Sequence, residues 1–209
     1  MADLAKLTDA IRLGKRDSAV ALTREAMEAK MSPGEILDAM VAAMDDVGRR
    51  FQCNEVFVPE MLIAARAMKE SMAMLEPMLV AAGIRPVAKA VIGTVAGDLH
   101  DIGKNLVAMM WKGANFDVVD LGTNVPPQKF VDAVKQHNAD IVGLSALLTT
   151  TMPAIKSTVE ALKPAGCQVA KILIGGAPVT QAYADEVGAS GYAPDAATAV
   201  TVARQLVGK

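Results

Sequence analysis

Aromatic residues are scarce: four Phe, two Tyr and one Trp make up 3% of the 209 residues. A core must therefore be built from Ala, Val, Leu, Ile and the 13 Met, with Met as adaptable filler. Cysteine is nearly absent. Cys53 and Cys167 stand far apart and form no Cys-x-x-Cys pair, which excludes a disulfide framework and a cysteine-based zinc site; both are read as inert. An excess of one charge is missing as well. Lys and Arg number 21 against 23 Asp and Glu, for a net charge of −2, so the chain carries no electrostatic footprint for a nucleic acid. No run approaches roughly 18 uncharged apolar residues. The start, Met1 to Lys15, is charged and amphipathic and lacks the apolar run of a signal peptide. The expectation is a soluble, cytoplasmic protein with neither nucleic acid nor membrane as a partner.

What is present is apolar bulk, 52% of the chain against 21% charged, enough for a packed core. The length suits one large domain or two small ones, and the pattern changes part-way. Residues 1 to 84 read as helix. Ile36, Met40, Ala43, Met44 and Val47 form one stripe at three- and four-residue spacing, and Met61, Leu62, Ala65, Met68, Met72 and Leu75 another. Ser32-Pro33-Gly34-Glu35 has the form of a helix start with reciprocal capping. Breaks at Gly14-Lys15 and Met31-Ser32 leave about four helices, hence a four-helix bundle. Gly83-Ile84-Arg85-Pro86 is a linker, since Pro86 pushes Arg85 out of helical torsions. From residue 85 to 209, short Val- and Ile-rich runs (88–95, 116–119, 141–145 and 172–174) alternate with helical segments. That pattern predicts an α/β doubly wound parallel sheet of the Rossmann or flavodoxin-like kind, in which ligands bind at the carboxyl ends of the strands.

Chemistry-bearing residues collect after those strands. Gly97-Asp98-Leu99-His100-Asp101-Ile102-Gly103-Lys104-Asn105 follows the first, Ser145-Ala146-Leu147-Leu148-Thr149-Thr150-Thr151 the third and Gly175-Gly176-Ala177-Pro178 the fourth. The first loop is not a Walker phosphate cradle: its glycines are one residue too far apart, Asn105 replaces the hydroxyl, and Asp98 and Asp101 would repel phosphate. It has no Gly-x-Gly-x-x-Gly, so a dinucleotide site is not expected either. His100 is one of only two histidines. Asp98, two residues earlier, can hold one ring nitrogen, fix the tautomer and leave the other as a metal donor. No second or third protein ligand accompanies it; His137 is placed on the surface at the far edge. One ligand is too few for zinc, but enough for a metal whose other sites a macrocycle fills. Lys104 and Asn105 open a helix and are assigned to its solvent side, and Trp111 is assigned to the core.

Asp98-x-His100-x-x-Gly103, Ser145-x-Leu147 and Gly175-Gly176, in that order, resemble the signature of cobalamin-binding domains. The helical half, with Phe57-Val58-Pro59-Glu60-Met61, resembles the cap bundle of corrinoid proteins in methyltransferase systems, such as methionine synthase and the methanol, methylamine and O-demethylase corrinoid proteins. The resemblance spans residues from roughly 10 to 205. It implies a cobalamin bound base-off/His-on. His100 is then the lower axial ligand of cobalt, and Asp98 and Thr151 continue it as a relay that takes up the accompanying proton. The cofactor would be lined by Gly97, Asp98, Leu99, His100, Asp101, Ile102, Gly103, Ser145, Leu147, Thr149, Gly175, Gly176, Ala177, Tyr192, Ala193, Asp195 and Ala196. The glycines would leave room for its tail, and Phe57, Met61 and Leu62 would cover its upper face.

The same resemblance implies a methyl carrier that is not catalytic alone. Cobalt would cycle between Co(I) and methyl-Co(III), loaded by a methyl-donor-specific methyltransferase and unloaded by a methyl-acceptor methyltransferase with a folate or thiol acceptor. A reductive activase would rescue oxidised cobalt. Two other readings remain open. A cobalamin-sensing binding module would need a DNA-reading head, and the cobalamin subunit of a carbon-skeleton mutase normally lacks the helical cap.

Overall fold

The computed structural model describes residues 3–163 and 170–208; Cys167 lies outside the described residues. The chain divides into two compact units, Met1–Pro86 with Lys112–Asn115, and Val87–Trp111 with Phe116–Lys209. No helix among the described residues is long and apolar enough to cross a membrane.

The first unit contains α1 (Leu4–Arg12), α2 (Arg16–Glu28), α3 (Pro33–Gln52) and α4 (Val58–Ala81). Helix α1 packs against α2 and α3, and α4 packs against the same two, which closes a four-helix bundle. Local signals set the ends. The Asp3 carboxylate accepts the Ala5 and Lys6 N–H groups at 3.1 and 3.2 Å, satisfying donors that a helix start leaves free. Glu60 accepts the Phe57 N–H at 3.2 Å at the start of α4. Helix α3 begins at Pro33 as its sequence suggests, but Ser32 makes no side-chain capping bond. The preset backbone of Pro33 suffices there. The α3 stripe from Ile36 to Val47 is buried throughout. The α4 stripe needs correction. Met61, Ala64, Ala65, Met68, Ser71 and Leu75 are buried, whereas Leu62 is exposed and Met72 half-buried. Each residue turns about 100°, so Leu62 sits a step off the inward face.

The second unit alternates β1 (Lys89–Thr94), α5 (Ile102–Gly113), β2 (Asp117–Asp120), α6 (Pro127–His137), β3 (Ile141–Ser145), α7 (Met152–Leu162), β4 (Lys171–Gly175), α8 (Gln181–Val187), β5 (Gly191–Ala193) and α9 (Ala196–Leu206). The strands are all parallel, in the order β2-β1-β3-β4-β5. Beyond Lys89, β1 is wholly buried, as is β3 up to Ser145; strands covered on both faces by helices read as continuous apolar runs. Strand β2 starts one residue later than its apolar run implies. Phe116 is buried beside Trp111, ring centroids 6.0 Å apart, and the edge strand carries exposed Asp117 and Asp120 at its ends, which discourages further strand pairing. Trp111 is core: it is fully buried and donates from Nε1 to the Ala199 carbonyl at 3.1 Å.

The winding changes direction between β1 and β3, and their carboxyl ends are where ligands bind in sheets of this order. The backbone there is tight. Gly176, at φ +128°, would place a Cβ 1.8 Å from the Ala146 carbonyl oxygen. Gly176→Ala is therefore expected to destabilise the second unit by about 3 kcal/mol or more, read as a lower urea midpoint; an unchanged midpoint contradicts this packing.

Candidate functional site

The register places Thr94, Ser145, Gly175 and Ala193 in one row across β1, β3, β4 and β5. The loops that leave those strands therefore start at one level on one edge. His137 is half-buried at the end of α6, which leads into the opposite edge of β3.

The centre of this edge is the Asp98 carboxylate, which is fully buried. Its Oδ1 accepts the His100 backbone N–H at 3.0 Å and lies 2.7 Å from His100 Nδ1. Its Oδ2 accepts the Leu147 N–H and the Thr151 hydroxyl, both at 2.7 Å. Burial alone pushes the carboxyl up, but the N–H groups of His100 and Leu147, the Thr151 hydroxyl and the His100 ring outweigh it. They hold Asp98 well below the usual carboxylate range. An ionised carboxylate only accepts hydrogen bonds, so in the neutral ring the proton belongs on Nδ1 and the lone pair on Nε2. With both oxygens doubly engaged, Asp98 is held as an anion through the neutral range.

His100 has half its side chain exposed. Around it Leu99 and Ile102 are more than 70% exposed, and Leu147 and Leu148 more than 40%. Four large apolar side chains thus lie open, three on the loops after β1 and β3 and one, Ile102, at the start of α5. No cluster of three or more His, Cys, Asp or Glu able to hold a metal ion occurs among the described residues; a metal on Nε2 must bring its other ligands with it. A Cβ on Gly103 would meet nothing within 4 Å, so space stays open beside the motif. An apolar, flat-faced metal macrocycle fits these features.

The other expected residues fall into three groups. Gly97, Asp101, Ala177 and Thr149 are exposed, and Ser145, Gly175, Gly176 and Tyr192 half-buried, all at this edge. Asp195 caps α9, accepting the Thr198 N–H at 2.7 Å, and Ala193 and Ala196 are buried beside it. The glycine pair has a different reason from the one expected. A Cβ on Gly175 would lie 2.9 Å from the Ala193 oxygen, and Gly176 is blocked by Ala146; neighbouring backbone requires both with or without a ligand. In the first unit, Phe57 and Leu62 are exposed, whereas Met61 is fully buried and offers no surface as it stands.

Lys104 is also corrected. Its ammonium is buried, paired with Asp120 and 2.6 Å from Asn105 Oδ1. Two contributors escaped sequence reading. Thr94 is the one hydroxyl in the buried Ala90–Val95 run, and Asn124 sits in the turn after β2 at φ +52°. A polar residue inside an apolar strand was the available signal for Thr94.

Residues 88–201 match the family described as "B12 binding domain", and residues 4–76 match a second family with the same description. A dimethylamine corrinoid protein of Methanosarcina barkeri is 41% identical over 208 residues, covering 98% of this chain and 97% of that one. This chain belongs to the family of cobalamin-binding corrinoid proteins. A corrinoid protein of Desulfitobacterium hafniense strain Y51 is 38% identical, covering 100% and 99% of the two chains. Among solved structures, a cobalamin-binding protein from Desulfitobacterium hafniense DCB-2 aligns with a TM-score of 0.82 at 34% identity, covering 99% of each chain. The methanol:cobalamin methyltransferase complex from Methanosarcina barkeri contains a chain that aligns with a TM-score of 0.87 at 29% identity, covering 98% of this chain and 80% of that one.

In this corrinoid protein the Asp98 anion also sets a pH dependence. Its folded-state value is depressed, so its stabilisation is fully present above its unfolded-state value of about 3.9 and is lost as pH falls toward the folded one. The gap in thermal midpoint between wild type and Asp98→Asn should shrink as the pH falls below about 4. A gap that stays constant at acid pH contradicts the assignment.

Proposed function

We propose that this chain is the corrinoid methyl carrier of a methyltransferase system, with His100 Nε2 as the lower axial ligand of a cobalamin bound base-off/His-on. The observation that carries it is the buried Asp98 carboxylate 2.7 Å from His100 Nδ1, which leaves Nε2 as the free ring nitrogen near exposed Leu99, Ile102, Leu147 and Leu148. The family membership supports the cofactor. The similarity to a dimethylamine corrinoid protein and to a chain of a methanol:cobalamin methyltransferase complex supports the methyl-transfer setting. When bound, the corrinoid would supply a cobalt centre able to take up a methyl group and hand it on.

The residues divide the remaining work. Asp98 keeps the imidazole in the donating tautomer and in one orientation. Thr151 and the Leu147 N–H keep Asp98 charged, so a proton exchanged as the ligand nitrogen binds or lets go is exchanged at Nε2. The apolar ledge would desolvate the face it covers, and half-buried Ser145 and open Gly103 offer a path for the displaced nucleotide tail. Phe57 and Leu62 are proposed to shield the reactive face. The carrier would serve a donor-specific methyltransferase, an acceptor methyltransferase and a reductive activase, in the cytoplasm.

The test is the absorption spectrum of the protein loaded with cobalamin. His100→Ala is expected to lose the His-on form. Asp98→Asn places an amide nitrogen against two donors; facing the ring, it forces the proton to Nε2 and closes the coordinating position. A fall of about 10–100-fold in the His-on equilibrium is expected, with cobalamin retained. A wild-type spectrum in His100→Ala overturns the reading.

A further inference from the structure

We infer that Thr94 and Asn124 are positioning residues for His100, holding the loop backbone from which the imidazole is presented and so setting how readily Nε2 reaches a metal. The inference rests on the proposed role of His100 as ligand.

The loop from residue 96 to 101 has no strand or helix, and all of Gly97, Leu99, His100 and Asp101 are exposed. The Asp98 carboxylate holds the ring nitrogen and the His100 backbone N–H, which leaves the His100 carbonyl and the backbone of residues 97 and 98 to be held by other groups. Three hydrogen bonds from two residues, Thr94 and Asn124, hold them. The Thr94 hydroxyl, at the fully buried end of β1, donates to the His100 carbonyl oxygen at 2.8 Å. The loop is thereby closed onto its own strand across the ligand residue itself. Asn124 Oδ1 accepts the Gly97 N–H at 2.8 Å, and the Asn124 N–H donates to the Asp98 carbonyl at 2.9 Å. Asp98 is thus bracketed from the β2 side through its backbone and from the β3 side through its side chain.

These two supports share an anchor. The Thr94 N–H donates to the Gly122 carbonyl at 2.9 Å and its carbonyl accepts the Val125 N–H at 3.0 Å, so the turn bearing Asn124 is registered on Thr94. The residue type is informative. A buried strand position favours a β-branched apolar residue, and a buried hydroxyl is costly without a partner. Thr at this position serves the bond to His100; Val would serve the strand alone. Removing either support lets the ring drift, and a small displacement of a ligating group weakens its bond more than it weakens the cofactor's many other contacts.

The experiment compares full-length wild type with Thr94→Val, Thr94→Ser, Asn124→Ala and His100→Ala, each loaded with cobalamin. The readouts are the His-on to His-off ratio from the absorption spectrum, the Kd for cobalamin and the thermal midpoint. Thr94→Val is expected to lower the ratio about fivefold, the worth of one net hydrogen bond, with little change in Kd. Thr94→Ser restores the ratio, and Asn124→Ala lowers it. A wild-type ratio in Thr94→Val, or a Thr94→Ser protein as defective as Thr94→Val, overturns the inference. So does a loss of Kd and thermal midpoint with the ratio unmoved. If Thr94→Val does not fold, Asn124→Ala decides: a wild-type ratio overturns, a lowered one supports. His100→Ala separates the two claims, because an unchanged spectrum there removes the ligand assignment itself.

Discussion

A carboxylate out of contact with water and saturated by donors is costly to build and leaves little freedom once built. Asp98 has both oxygens doubly engaged, and the desolvation penalty is outweighed only because every donor is in place. That requirement fixes the β1 loop against the β3 loop. It also decides which nitrogen of His100 carries a proton, and with it whether the imidazole can bind a metal.

The sheet order supplies the donors. Strands β1 and β3 are hydrogen-bonded neighbours although β2 separates them in sequence, and Thr94 pairs with Ser145 at their carboxyl ends. A carboxylate four residues past one strand end can then meet an amide two residues past the other. The loops leave their own apolar side chains unburied: Leu99, Leu147 and Leu148 remain open, as does Ile102 at the start of α5. Exposed apolar side chains grouped beside one polar atom mark a surface made for a ligand rather than for solvent.

Much of this was legible in the sequence, for local reasons. The change from helical spacing to short Val- and Ile-rich runs marks the passage from bundle to sheet, and Asp98 and His100 are close enough in sequence for their bond to be inferred. What escaped depends on contacts between distant segments. Lys104 looks solvated until Asp120, sixteen residues later, is brought beside it by β1–β2 pairing. Gly175 and Gly176 look like room for a ligand until Ala193 and Ala146 occupy it. Leu62 belongs to an apolar run yet faces out, because a one-residue offset on a helix changes the face. Thr94 carries a signal, a hydroxyl in an apolar strand, but its acceptor is a backbone carbonyl that no side-chain pattern announces.

The most direct measurement is the 15N spectrum of the His100 imidazole in the cobalamin-free protein, followed upward in pH until it stops changing, so that the neutral ring reports its tautomer. The account predicts a protonated-type Nδ1 and a lone-pair-type Nε2, with the preference lost or reversed in Asp98→Asn. A proton on Nε2 in the wild type, or averaging between the two nitrogens, contradicts it.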